Sequence, residues 1–135
     1  MKKQFIRLCF GILVCVLFGI AFADEVEVVD VTLTQSKDTT WRFDVTLKHA
    51  DSGWKHYADE WKIVTRNGEV LGTRTLLHPH VDEQPFTRSL ARVKIPSQIK
   101  IVHIVAKDTV HGVSSKVAEV ALGSGKIKKI SLEPD

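Results

Sequence analysis

The stretch Trp41-Arg42-Phe43-Asp44-Val45-Thr46-Leu47-Lys48 alternates apolar and polar side chains without a break. A β-strand sends successive side chains to opposite faces, so Trp41, Phe43, Val45 and Leu47 share one side. Arg42, Asp44, Thr46 and Lys48 share the other, and the segment reads as a half-buried strand. The same alternation runs outward in both directions. Val29, Val31 and Leu33 show it before the turn Gln35-Ser36-Lys37-Asp38. After the loop Ala50-Asp51-Ser52-Gly53, residues 57–65 continue it with Trp61 and Ile63 inward. Asn67-Gly68 predicts a two-residue hairpin, which needs positive φ at both positions, and residues 70–77 return from it. Residues 86–95, 99–107 and 114–122 complete seven strands. No segment holds a helical period over ten residues, and there is no internal repeat.

The chain has 135 residues, a length suited to one domain. Met1 to Arg7 is short and cationic, Leu8 to Ile20 is apolar, and Ala21-Phe22-Ala23 places small residues before Asp24. That is the layout of a cleaved secretory signal over residues 1–23, the alternative being an uncleaved anchor. A lipid anchor needs a Cys after a small residue, whereas Cys9 follows Leu8 and Cys15 follows Val14. Cleavage would remove both cysteines and the only methionine. The mature chain then has no disulfide, no thiolate and no thioether ligand, which disfavours Cu(I). It also removes Lys2, Lys3 and Arg7, leaving sixteen basic and sixteen acidic side chains. A neutral mature chain argues against nucleic-acid binding and polybasic membrane binding. The expected organisation is a signal at 1–23, a β domain at 24–122 and a polar tail at 123–135, which adds a weak strand through Ile130 and Leu132 or frays. The expected location is the periplasm.

Seven strands with turns every 8–12 residues, and a core tryptophan at Trp61 on the third, point to a seven-stranded immunoglobulin-like antiparallel sandwich. Val102-His103-Ile104-Val105-Ala106-Lys107-Asp108, with Gly112 soon after, resembles the sixth strand and following loop of fibronectin type III and related bacterial domains. It departs from them by lacking both cysteines and the usual tyrosine corner. The blocks His56-Tyr57-Ala58-Asp59-Glu60-Trp61 and Leu76-Leu77-His78-Pro79-His80-Val81-Asp82-Glu83-Gln84-Pro85-Phe86 resemble segments of small exported bacterial proteins without an assigned activity. The resemblance implies an exported β-sandwich and no particular chemistry.

All six histidines lie after residue 23. If the strand 41–48 runs up, the loop after it lies at the top, the Asn67-Gly68 hairpin at the bottom, and the loops 78–85 and 108–113 again at the top. Five histidines (His49, His56, His78, His80 and His111) therefore meet at one pole, and His103 sits mid-strand on an outer face. Asp51, Asp59, Asp82, Glu83 and Asp108 join them. In His78-Pro79-His80 the proline favours an extended backbone, so the two imidazoles point one way from Cα atoms about 6–7 Å apart. They can converge on one cation, with His56 or His111 as third ligand and Asp59 or Asp82 binding it or supporting its ligands. Imidazole and carboxylate suit Cu(II), Zn(II) or Fe. The plainer reading is a loop cluster that is structural or grips another envelope protein, with Trp54 and Tyr57 as a binding lip or as caps on the core. His49, in step with Leu47, is either a satisfied histidine at the core's edge or a ligand. Hydrolase elbows, phosphate loops, dinucleotide fingerprints and zinc-protease helices are missing from the sequence, and the chain is not expected to be an enzyme.

Overall fold

A computed structural model describes residues 24–131. The signal at 1–23 and residues 132–135 lie outside the described residues. Nine strands form, and no helix occurs among the described residues. They are β1 (Glu27–Gln35), β2 (Trp41–Lys48), β3 (Ala58–Val64), β4 (Val70–Thr75) and β5 (Phe86–Val93). β6 (Ile101–Asp108), β7 (Gly112–Val113), β8 (Lys116–Ala121) and β9 (Ile127–Ser131) complete the set. One antiparallel sheet has the order β1-β2-β5; the other has the order β4-β3-β6-β8-β9, with β7 on β6.

The alternation sets the layers. Phe43, Val45 and Leu47 of β2 face Trp61 and Ile63 of β3 and Val102, Ile104 and Ala106 of β6 in one closed core. Each fully buried apolar side chain contributes roughly 1.5–3 kcal/mol. Without disulfides among the described residues, that apolar contact is the main source of stability.

Seven strands were expected and nine are present, for two local reasons. The expected strand 114–122 starts at Lys116 as β8, and the expected loop before it supplies β7, which pairs with β6. Ser114 separates the two, its hydroxyl donating to Val26 O (2.7 Å) and accepting from Lys116 N (3.0 Å). The expected tail contributes β9, which pairs with β8 from Lys116↔Ser131 to Val120↔Ile127. It is the weak strand through Ile130 that the sequence offers as one reading of the tail, and Lys128 and Lys129 mark it as a charged sheet edge.

The Asn67-Gly68 turn also differs from the expectation. Gly68 has φ +85°, but Asn67 is not among the residues with positive φ. Thr65 N donates to Glu69 O (2.9 Å) and Gly68 N to Thr65 O (2.9 Å). The loop is thus three residues long, with only Gly68 left-handed, a common alternative to the two-residue turn. Gly68→Ala should therefore destabilise the protein by about 1 kcal/mol, while Asn67→Ala changes stability by less than about 0.5 kcal/mol in denaturant titrations. Equal losses would indicate the two-residue turn instead.

Candidate metal centre

Strands β2 and β6 carry their inward alternation past the apolar core into ionisable residues. After Phe43, Val45 and Leu47, the next inward positions are His49 and Asp51. After Val102, Ile104 and Ala106 comes Asp108. All three are buried, with exposures of 3 % for His49, 6 % for Asp51 and 2 % for Asp108. Burying such groups is costly unless each finds partners.

Asp51 has three. Its Oδ1 accepts from Ala58 N (2.9 Å) and from His49 Nδ1 (2.5 Å), and its Oδ2 accepts from His80 N (2.8 Å). A carboxylate can only accept, so Nδ1 donates to Asp51. The opposite nitrogen, Nε2, faces Asp24 O at 3.2 Å, Asp24 Oδ2 at 3.5 Å and Asp108 Oδ2 at 3.7 Å. Gln84 closes the back of the arrangement: its Oε1 accepts from His49 N (3.0 Å) and its Nε2 donates to His80 O (2.9 Å).

Asp108 is held by the β6–β7 turn. Its Oδ1 accepts from Val110 N (2.8 Å) and His111 N (2.7 Å), and His111 Nδ1 lies 3.3 Å away. Burial pushes the Asp108 carboxyl up, but those backbone donors and the neighbouring His111 and His49 rings outweigh it. The group sits below the ordinary carboxylate range.

His56 comes from the β2–β3 loop. Gly53, with φ +147°, allows a tight reversal in which His56 N donates to Gly53 O (3.1 Å) and Ser52 N to His56 O (2.9 Å). Thr109 then ties this loop to the β6–β7 turn. Its N donates to Tyr57 O (3.0 Å), its hydroxyl donates to Lys55 O (3.2 Å), and that hydroxyl accepts from Tyr57 N (3.2 Å). The ties bring the His56 ring to 4.9 Å from His49 and 5.0 Å from His111, centroid to centroid. His56 Nε2 is buried without a hydrogen-bond partner, 3.4 Å from Asp108 Oδ1.

Two sets of three ligand atoms, each mutually within 4.8 Å, result: Asp24, His49 and His56, and His56, Asp108 and His111. His56 belongs to both. The five residues form one rim, buried on the β2 and β6 side and partly open at His56, His111 and Asp24. Larger surface pockets, of about 560 and 470 Å³, lie at the opposite ends of the strands around Thr39, Ile95 and Pro96, and their linings contain no histidine.

The pole expected from the strand order is therefore present, but its members divide differently. His56 and His111 join the rim. His78 and His80 do not, although their rings are 4.5 Å apart. His78 is exposed. His80 stacks on Phe86 (3.8 Å, 7°), and its Nε2 accepts from Arg88 Nη2 at 2.7 Å. The guanidinium can only donate, so His80 is neutral with its proton on Nδ1, facing Asp51 Oδ2 at 3.9 Å. Its lone pair is taken and its ring is packed, which suits a support and not a ligand. Asp82 is exposed, and Asp59 pairs with Lys107 Nζ (2.8 Å). Neither belongs to a set of three. His103 faces outward against Glu119 (3.1 Å). Asp24, His49 and Asp108 complete the rim; Asp24 and Asp108 are not among the expected ligands, and for His49 the sequence leaves ligand and satisfied histidine both open. The signal for two of them was in the alternation itself, which delivers His49 and Asp108 to inward positions. Trp54 is exposed, and its edge meets the half-buried Tyr57 (5.8 Å).

No family model matches the chain, and no solved structure matches it. A protein of Halomicrobium mukohataei named "Putative lipoprotein" is 37 % identical over 111 residues, which is 82 % of this chain and 54 % of that protein. The chain thus spans about half the length of the curated relative it matches.

The support around His80 has a measurable consequence. Burial, then Arg88 and His78, push its imidazole below the usual histidine range, against weaker opposite pulls from Glu83 and Asp51. A histidine depressed in the folded state binds fewer protons than the unfolded chain. It therefore contributes stability that is complete above about pH 6.5 and is lost as pH falls below that value toward its folded pKa. Resolved imidazole resonances should show His80 titrating below the model-peptide value, and Arg88→Gln should move it upward. An unshifted resonance in both proteins would contradict the packing described.

Proposed function

We propose that the chain is an exported protein that holds a transition-metal ion, Zn(II), Cu(II) or Fe, in the rim of His49, His56, Asp108 and His111 beside Asp24. Its role is storage or delivery of the ion, binding without catalysis. The observation that carries this reading is the surroundings of His49. Its Nδ1 donates to Asp51, and its Nε2 faces three oxygens from Asp24 and Asp108. A metal cation held among these atoms takes the place of the Nε2 proton. The orphaned His56 Nε2 borders the same space. A carboxylate behind a ligating imidazole is the usual support of a bound metal, and Asp51 has that position. A proton on Nε2 is the competing occupant of the same oxygen cage.

Strand orders β1-β2-β5 and β4-β3-β6-β8 support the immunoglobulin or fibronectin type III assignment of the sandwich. The name of the Halomicrobium relative supports export and an envelope location, consistent with a periplasmic protein whose signal ends at Ala23. The alternative, a metal-free module that grips another envelope protein, is favoured by one feature. Trp54, Leu77, Val81, Val110 and Val113 are all exposed apolar residues on the segments that bear or border the rim.

Calorimetric titration of exported, untagged protein with Zn²⁺ and Cu²⁺ tests the metal reading. Binding at about micromolar Kd or tighter is expected for at least one ion. His49→Ala and His56→Ala should each weaken it by about tenfold or more, and His78→Ala should leave it unchanged. Absent binding, or binding that depends on His78 and not on His56, overturns the reading.

A further inference from the structure

Asp24 is the one rim residue that precedes the first strand. It is also the residue that the expected signal cleavage would make the first of the mature chain. Residues 25 and 26 fix its position. Val26 is fully buried in the core, and its carbonyl accepts from Ser114 Oγ at 2.7 Å. Glu25 takes both donors of Ser115, Oε1 from its N (3.1 Å) and Oε2 from its hydroxyl (2.8 Å). These contacts lock both residues against the segment between β7 and β8, so Asp24 is delivered to His49 by its successors in the chain. The Asp24 side chain stays 45 % exposed, beside an open pocket of about 340 Å³ that it lines with His49 and Gln84.

We propose that export cleavage before Asp24 creates a further metal ligand: the freed α-amine of Asp24 joins its own β-carboxylate and His49 around the ion. The inference rests on the metal reading above. In the cleavage step water adds across the Ala23–Asp24 peptide bond, under catalysis by the host's signal-removing protease. The C–N bond breaks, the carbonyl carbon of Ala23 gains the hydroxyl, and the nitrogen of Asp24 gains the hydrogen. An amide nitrogen, whose lone pair is delocalised, thereby becomes an amine able to donate it once deprotonated. Amine and β-carboxylate of one aspartate close a six-membered chelate ring, and amine and carbonyl oxygen a five-membered one. Either ring adds a donor without ordering a second segment of chain. The unprocessed chain lacks that donor, so tight binding would be confined to protein that has been exported and cut.

The test compares exported, processed protein with a variant carrying Gly-Ser inserted between Ala23 and Asp24, the N-terminus of each established by intact mass. A second preparation blocks the α-amine of the processed protein by selective acylation near pH 6.5. Titrated with Zn²⁺ and Cu²⁺, both blocked forms should bind about tenfold or more weakly than the processed protein, and Asp24→Ala should also be weakened. Equal affinity in blocked and free forms, with His56→Ala still abolishing binding, overturns this inference and leaves the metal site standing. A mature N-terminus other than Asp24 overturns it as well. No binding by any form removes the metal reading itself.

Discussion

The carboxylate of Asp51 is the constraint on which the polar end of the molecule depends. It is buried, charged and saturated by three donors from three segments: His49 Nδ1 just past β2, Ala58 N at the start of β3 and His80 N in the β4–β5 loop. A buried anion at the rim of an apolar core is tolerated only when its lone pairs are matched by donors. Those donors are also what join the two sheets at this end, because β2 belongs to one and β3 to the other. The interaction that satisfies Asp51 also orients the His49 ring and turns its Nε2 toward Asp24 and Asp108. The bonds that support the fold thus also orient the ring proposed as a ligand.

Around that point the loops have separable tasks. The segment from His78 to Phe86 braces the back of the site through His80 and Gln84, with Arg88 of β5 behind them, while the β2–β3 and β6–β7 loops bring His56 and His111 to the front. Thr109 binds the two front loops with a single hydroxyl and its own amide. Replacing an ionisable network with apolar residues of similar volume is often neutral or stabilising. That this chain keeps His49, Asp51 and Asp108 at inward positions, where leucine or valine would extend the core, accords with the proposed metal binding.

Much of this was legible in the residues. The alternation from Trp41 to Lys48 gives the strand and its buried face, and strand reversal order brings loops distant in sequence to one pole. The count of strands was only partly legible: Ile130 hinted at β9, but the two-residue β7 in the expected loop depends on tertiary hydrogen bonds and not on pattern. The division of histidines into ligands and supports was not legible either. His78-Pro79-His80 has the spacing that predicts convergence, and its rings are indeed close. Yet the fate of His80 is decided by Phe86 and Arg88, which reach it only once β5 is in place. Asp24 could be found only in three dimensions, because nothing in its local sequence points to Ser114, Ser115 or His49.

The central question is where a cation goes. A crystal structure of the exported protein grown with Zn²⁺ or Cu²⁺, with the ion located by its anomalous scattering, addresses this directly. The expected result is one peak about 2.0–2.2 Å from His49 Nε2 and His56 Nε2, with an Asp24 or Asp108 oxygen in the shell and Asp51 still on His49 Nδ1. A peak held by His78 or His103, or none near His49, would contradict it.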